Sequence, residues 1–360
     1  MENMSLVPLE LPQKLVDGEG GSYYAWNDTV FPFLGAGQVS GGLLIMKPGG
    51  FAIPHYADCS KIGYVVQGTD GAAGMIYPES TEEKVVKLKK GDAIVVPSGT
   101  VSWWFNAGHD ELKIIFLGET QNATIPGTFT YGLLAGAIGI LKGFSSETIS
   151  KAYDISNEQA NKLVNTQKEA LMFKLVDEGI TMPKPSSNTQ HLTFEFDKNA
   201  PNVHVEKGGY INFLTGEKHS PLEGIKLSGK LLKLEPNATL GPTYYAKDSG
   251  IELTYVIKGS GSVRVVGLNG QVVLDTKLEA GQLFVVPKFH VAAIDADNEG
   301  IECFSIVTTS KPILAHVAGK MSPWKALSPQ VLQVSLNVSS EFSELFMDKI
   351  HTTTIIMPPN

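Results

Sequence analysis

Runs of four to eight residues rich in Val, Ile, Leu and Tyr recur along the chain, each bounded by Gly, Pro, Asn or Asp. Such runs predict β-strands, because branched and aromatic side chains suit a pleated, half-buried surface. One set reads Leu43-Leu44-Ile45-Met46-Lys47-Pro48, then Tyr64-Val65-Val66-Gln67-Gly68, then Lys90-Gly91-Asp92-Ala93-Ile94-Val95-Val96-Pro97. A second set repeats it: Leu231-Leu232-Lys233-Leu234-Glu235-Pro236, then Tyr255-Val256-Ile257-Lys258-Gly259, then Ala280-Gly281-Gln282-Leu283-Phe284-Val285-Val286-Pro287. From the Gly that ends the middle run to the Pro that ends the last is 29 residues in one copy and 28 in the other. Shared composition would not hold that spacing, so the chain carries a duplication.

Short, regularly spaced strands separated by turns predict a sandwich or barrel. Asn269-Gly270 predicts a tight hairpin between 263–266 and 271–274. Each strand block is followed by a helical tail. Ser156 and Gln159 have capping-box spacing, and Ser328-Pro329 places an N-cap before a Pro at the first helical position. Residues 340–349 read as a further short helix, and the Pro- and Ser-rich segment 183–188 as the linker. The expected architecture is mostly β: two tandem β-barrels, residues 1–182 and 183–360, each trailing short α-helices.

Charge and composition narrow the function. The balance 29 − 37 = −8 gives a mildly anionic surface, and Arg264 is the only arginine. Nucleic-acid binding proteins usually carry an Arg-rich basic face, so no nucleic-acid partner is expected. The longest apolar stretch, 132–141, is broken by Gly and far short of the ~20 residues of a spanning helix, so no membrane partner is expected. Residues 1–15 show no basic and apolar secretory pattern, and the two cysteines, Cys59 and Cys303, lie far apart. Both features predict a cytoplasmic protein. On the same reasoning the Asn-x-Ser/Thr triplets at Asn27, Asn122, Asn237 and Asn337 are expected to stay unglycosylated.

The order Gly49-x5-His55, Gly68, then Gly91-x5-Pro97-x-Gly99 resembles the two motifs of the cupin superfamily, and two copies resemble a bicupin. Residues 255–266 and Phe284-Val285-Val286-Pro287 are especially similar to the plant legumin-like, or 11S seed-globulin, group. The resemblance implies jelly-roll barrels and helical arms that clasp copies into a homo-oligomer, a dimer or trimer. In metal-dependent cupins the motifs supply a His-x-His pair, a Glu and a further His. Here the first barrel keeps His55, but Ala57, Lys61 and Ser102 stand at the other positions. The second has Thr243, Tyr245 and Ala292, and keeps only Glu252. An ammonium group repels a cation and offers no lone pair, so neither barrel is expected to hold a metal, and no cofactor is expected.

If alternation holds along the strands, His55, Ile53 and Ala57 share one face, and so do Ser102, Trp104 and Asn106. His55 and Lys61 would then be a cofactor-free acid–base pair, with Ser102, Trp104 and Asn106 as ligand contacts. The plainer alternative is that His55 makes a buried hydrogen bond while Lys61 reaches the rim. In the second barrel Glu252 and His290 would meet, with Thr243 and Tyr245 as ligand contacts, or all four are structural.

Two functions follow. The first is a metal-free cytosolic bicupin that binds a small, largely apolar metabolite in the N-terminal barrel, acting as a cofactor-independent isomerase, cyclase or lyase if it turns that ligand over. The second is a seed-storage-type globulin, a nutrient reservoir without catalysis. Storage globulins are usually rich in Arg and Gln, whereas this chain has one Arg and eleven Gln. That composition favours the first. The shape of the first barrel's interior separates them: a closed, side-chain-filled barrel leaves a storage or structural role.

Overall fold

The computed structural model describes residues 6–10, 12–175, 180–246, 250–352 and 354–359. They fall into two compact units. One spans 12–197 with 219–221, and the other contains 198–218 and 222–360. The N-terminal segment belongs with the second unit, where the Leu9 backbone exchanges hydrogen bonds with Leu283. The units part between Asp197 and Lys198, later than the 183–188 segment. The reason is strand Thr193–Glu195, which still extends the first unit by pairing with Asp92–Val96.

In the first unit two antiparallel sheets face each other across a core. One contains, in spatial order, Gln13–Gly18, Gly21–Trp26, Val39–Met46, Leu112–Glu119, Lys61–Gln67, Asp92–Val96 and Thr193–Glu195. The other contains Tyr131–Leu133, Gly50–Ala57, Val101–Asn106, Gly71–Ile76 and Lys84–Leu88. Leu44, Val65, Met75, Ile94, Trp104, Ile114 and Phe116 share the core between them. Strand alternation separates the two adjacent tryptophans. Trp104 points inward, whereas Trp103 packs with Phe51 on the other face and donates its indole N–H to Glu83 at 2.6 Å.

The second unit repeats this plan with fewer breaks. Glu252–Val266 runs on where the first unit has Lys61–Gln67 and Gly71–Ile76, and Val291–Val307 runs on where it has Val101–Asn106 and Leu112–Glu119. Irregular register near Lys258 and Gly261 bends the long strand without ending it. Its strands therefore join as a single sheet. The repeat is exact enough to preserve pairing. His55 lies opposite Ser102 as Thr243 lies opposite Ala292, and Lys61 opposite Val96 as Glu252 lies opposite Val286. The expected mostly-β, duplicated architecture is what the chain adopts.

The helical tails form as well. Ser156 accepts from the Gln159 backbone at 3.2 Å and Gln159 returns a bond to the Ser156 backbone at 2.9 Å, a complete capping box. Ser328 sits at the N-cap of Pro329–Leu336, although its hydroxyl makes no capping bond. Ser340–Thr352 is the third expected helix. A helix at Ser146–Tyr153, capped by Ser145, precedes the first tail and had no expectation attached to it. The 267–270 hairpin forms, with Gly270 rather than Asn269 in the left-handed region. Among the described residues no helix is long and apolar enough to cross a membrane.

Candidate functional site

Lys61 opens its strand inside the first barrel and is only 4% exposed. Its Nζ donates to the Tyr131 hydroxyl at 3.2 Å. Three rings surround it, with centroids at 4.4 Å for Tyr131, 5.2 Å for Phe116 and 5.4 Å for Phe129. These faces attract the ammonium through their quadrupoles. No carboxylate among the described residues pairs with it. Neighbouring Asp58 instead accepts the backbone N–H groups of Thr124 and Thr130. Tyr131 in turn shares a 2.5 Å hydrogen bond with Tyr23, whose hydroxyl occupies the space that any side chain at Gly42 would need.

His55 lines the same cavity as Lys61 and Tyr131. Its Nδ1 donates to the Ile53 carbonyl at 2.8 Å, and its ring meets Tyr131 edge-on at 5.5 Å. Simple alternation fails here. The register with Val101–Asn106 shifts between Ala52 and His55, so Ala52 and His55 both face the cavity. Ile53 does not share that face: it lies beside Gly136, and its N–H bonds to Leu171.

Burial controls the electrostatics. It pulls the Lys61 ammonium down to about 8, with Cys59 and Asp58 opposing the shift. It pulls His55 down to about 4, assisted by the charge on Lys61. Burial also pushes the Tyr131 and Tyr23 phenols well up, and the Cys59 thiol up to about 12. At neutral pH the site therefore holds one ammonium, one neutral imidazole and neutral hydroxyls.

Tyr23, Leu44, Ala52, His55, Lys61, Trp104, Phe116, Tyr131 and Leu171 leave about 20 Å³ between them. That is room for about one water. Trp104 fills much of the interior and meets Phe116 edge-on at 5.1 Å. Ser102 is buried opposite His55 but does not line the cavity. Asn106, expected as a ligand contact, is instead spent on backbone. It donates to the Met46 and Asp110 carbonyls at 2.9 and 2.8 Å and accepts from Gly108 at 2.9 Å.

In the second barrel Glu252 is buried in direct contact with the Lys230 ammonium, and Thr254 donates to it at 3.3 Å. The expected meeting of Glu252 with His290 does not occur. His290 bonds its Nδ1 to the Lys288 carbonyl at 3.0 Å, and its Nε2 lies beside Gly267 of the hairpin. The turn before it keeps its backbone form: Phe289 adopts φ +57° where the first barrel has Gly99 at φ +77°. Tyr245 is buried, with Glu252 as the polar neighbour of its hydroxyl. Burial and the charge of Glu252 push its phenol well up. Thr243 makes a long 3.4 Å bond to the Ala292 carbonyl.

A transition metal of the kind the motifs imply does not fit these residues. At the positions of its ligands the first barrel has an ammonium and a single imidazole, and the second a carboxylate already neutralised. Among the described residues no three His, Cys, Asp or Glu side chains converge on one point. Lys230, Tyr23 and Tyr131 were not singled out by the sequence. Only the repeat offered a signal, by making Lys230 the counterpart of the uninformative Gly42.

The cupin family profile matches residues 8–161 and 195–344. The 11S globulin seed storage protein 2 of Sesamum indicum is 23% identical over 395 residues, covering 91% of this chain and 85% of its own length. The solved structure of the coconut allergen cocosin is 24% identical, with a TM-score of 0.89 over 99% of both chains. An 11S globulin from Wrightia tinctoria, described as revealing an auxin binding site, is 20% identical, with a TM-score of 0.88 over 99% of this chain and 96% of its own. The two matched segments coincide with the two barrels, and the chain belongs to the cupin family, with two cupin domains in one polypeptide.

Proposed function

We propose that this chain is a storage-type globulin, a nutrient reservoir without catalysis. The observation that carries the reading is the filled first barrel: about 20 Å³ remains beside His55 and Lys61. Sites for organic ligands enclose roughly 300–1,000 Å³. The acid–base pair expected from the sequence has the groups for proton transfer but no space for a metabolite between them. Relatives that are seed storage proteins favour the same reading. The low Arg and Gln content argued against it, but composition weighs less than the closed interior. A small molecule of the kind named for the Wrightia tinctoria globulin would have to bind elsewhere on this chain.

The protein acts as a homo-oligomer, a dimer or trimer, through its helical arms. Apolar side chains on the arms support this, among them Leu163 (51% exposed), Val334 (84%) and Leu345 (53%). It resides in the cytoplasm, in keeping with Cys59 and Cys303 as buried free thiols in different units. Native mass spectrometry of protein from its own tissue tests the reservoir reading. The expected mass is that of the polypeptide oligomer without an organic ligand, and a stoichiometric co-purified metabolite would overturn it.

A further inference from the structure

The two barrels treat a buried charge at the same repeat position differently. In the second, Glu252 has a counter-ion, Lys230. In the first, Lys61 takes the position of Glu252, and Gly42 takes that of Lys230. Lys61 has ring faces and one hydroxyl around it but no carboxylate partner among the described residues. A buried ion without a partner is strongly disfavoured. Beside this ammonium lies the water-sized cavity.

We propose that the first barrel binds one monatomic anion of the halide class, seated against Lys61 Nζ in the cavity lined by His55, Trp104 and Tyr131.

The donors outnumber the acceptors there. An ammonium has three N–H groups, and one reaches Tyr131. Tyr23 and Tyr131 share one hydrogen bond between two hydroxyls, leaving one O–H to donate. His55 donates through Nδ1 to a carbonyl, so Nε2 carries a lone pair until it is protonated. Anion binding therefore strengthens as His55 gains a proton and fails once Lys61 loses its own. Asp58, the nearby carboxylate, is held by two backbone N–H groups, while Cys59 and both tyrosines stay neutral over this range. Cavity volume excludes larger anions.

Crystals of the wild-type protein soaked in sodium bromide at pH 6 test the site directly. The expected result is an anomalous peak in contact with Lys61 Nζ. In solution at pH 6, sodium chloride should raise Tm by about 2–4 °C over sodium gluconate at equal ionic strength. Gluconate is too large to enter. The difference should vanish at pH 10 and in Lys61→Met. A bromide map with water alone beside Lys61 overturns the proposal even if Lys61→Met fails to fold. So does a chloride effect that persists at pH 10.

Discussion

Glu252 is neutralised within the second barrel by Lys230, a side chain whose place in the first barrel is taken by Gly42. Both partners are under a tenth exposed. Removing one leaves the other buried and unpaired. Glu252→Gln and Lys230→Met are therefore each expected to destabilise by about 3–5 kcal/mol in urea unfolding. The double variant Lys230→Met/Glu252→Leu should recover most of that loss, because both desolvated charges are gone. Single variants that unfold at the wild-type midpoint would contradict the pairing.

Lys61 carries the opposite sign of pH dependence from a paired lysine. Its folded value is near 8, below the unfolded 10.5, so between these the unfolded chain holds a proton that the folded chain has lost. Stability therefore rises with pH across that window, and the charged form opposes folding below it. In a buffer free of halides, Lys61→Met should stabilise at pH 7 by an amount of order 3 kcal/mol. The advantage should shrink between pH 8 and 10.5. Chemical denaturation of both proteins across that range measures it, and a constant difference would refute the assignment.

His55 and His219 act on the acid side. Burial lowers both to about 4 in the folded protein from an ordinary 6.5. The unfolded chain gains protons first as pH falls, so stability declines from pH 6.5 down to about 4. A His55→Gln/His219→Gln variant should show a shallower decline. Equal slopes would show that other groups dominate.

Gly99 and Phe289 hold the same turn position, both with positive φ. A side chain added at Gly99 meets only Pro78 Cγ at 3.7 Å, an ordinary contact. Gly99→Ala should therefore lose only the backbone preference, about 1 kcal/mol. Phe289→Gly should leave Tm unchanged or higher, since it releases strain around an exposed ring. A large loss in Phe289→Gly would mean the ring supports the fold.

The fold was legible because its signals are local and repeated. Strand-length apolar runs, their Gly and Pro boundaries and the Ser156–Gln159 spacing all lie within short windows. The site was legible only in part. His55 and Lys61 stand at motif positions, but Tyr131 reaches Lys61 from 70 residues away, and nothing in its neighbourhood announces that contact. The shift between Ala52 and His55 defeats alternation, since one unpaired residue turns every later side chain over. The interior volume depends on how Tyr23, Trp104 and Phe116 pack together, which no spacing encodes. For that reason the sequence favoured a ligand pocket where the structure has a filled core.

The reservoir reading is tested most directly by following the amount of this protein, per unit of total protein, in its own tissue as stored nitrogen is laid down and then drawn on. The account predicts accumulation during deposition and proteolytic loss in step with mobilisation. A level that stays constant through mobilisation would contradict it.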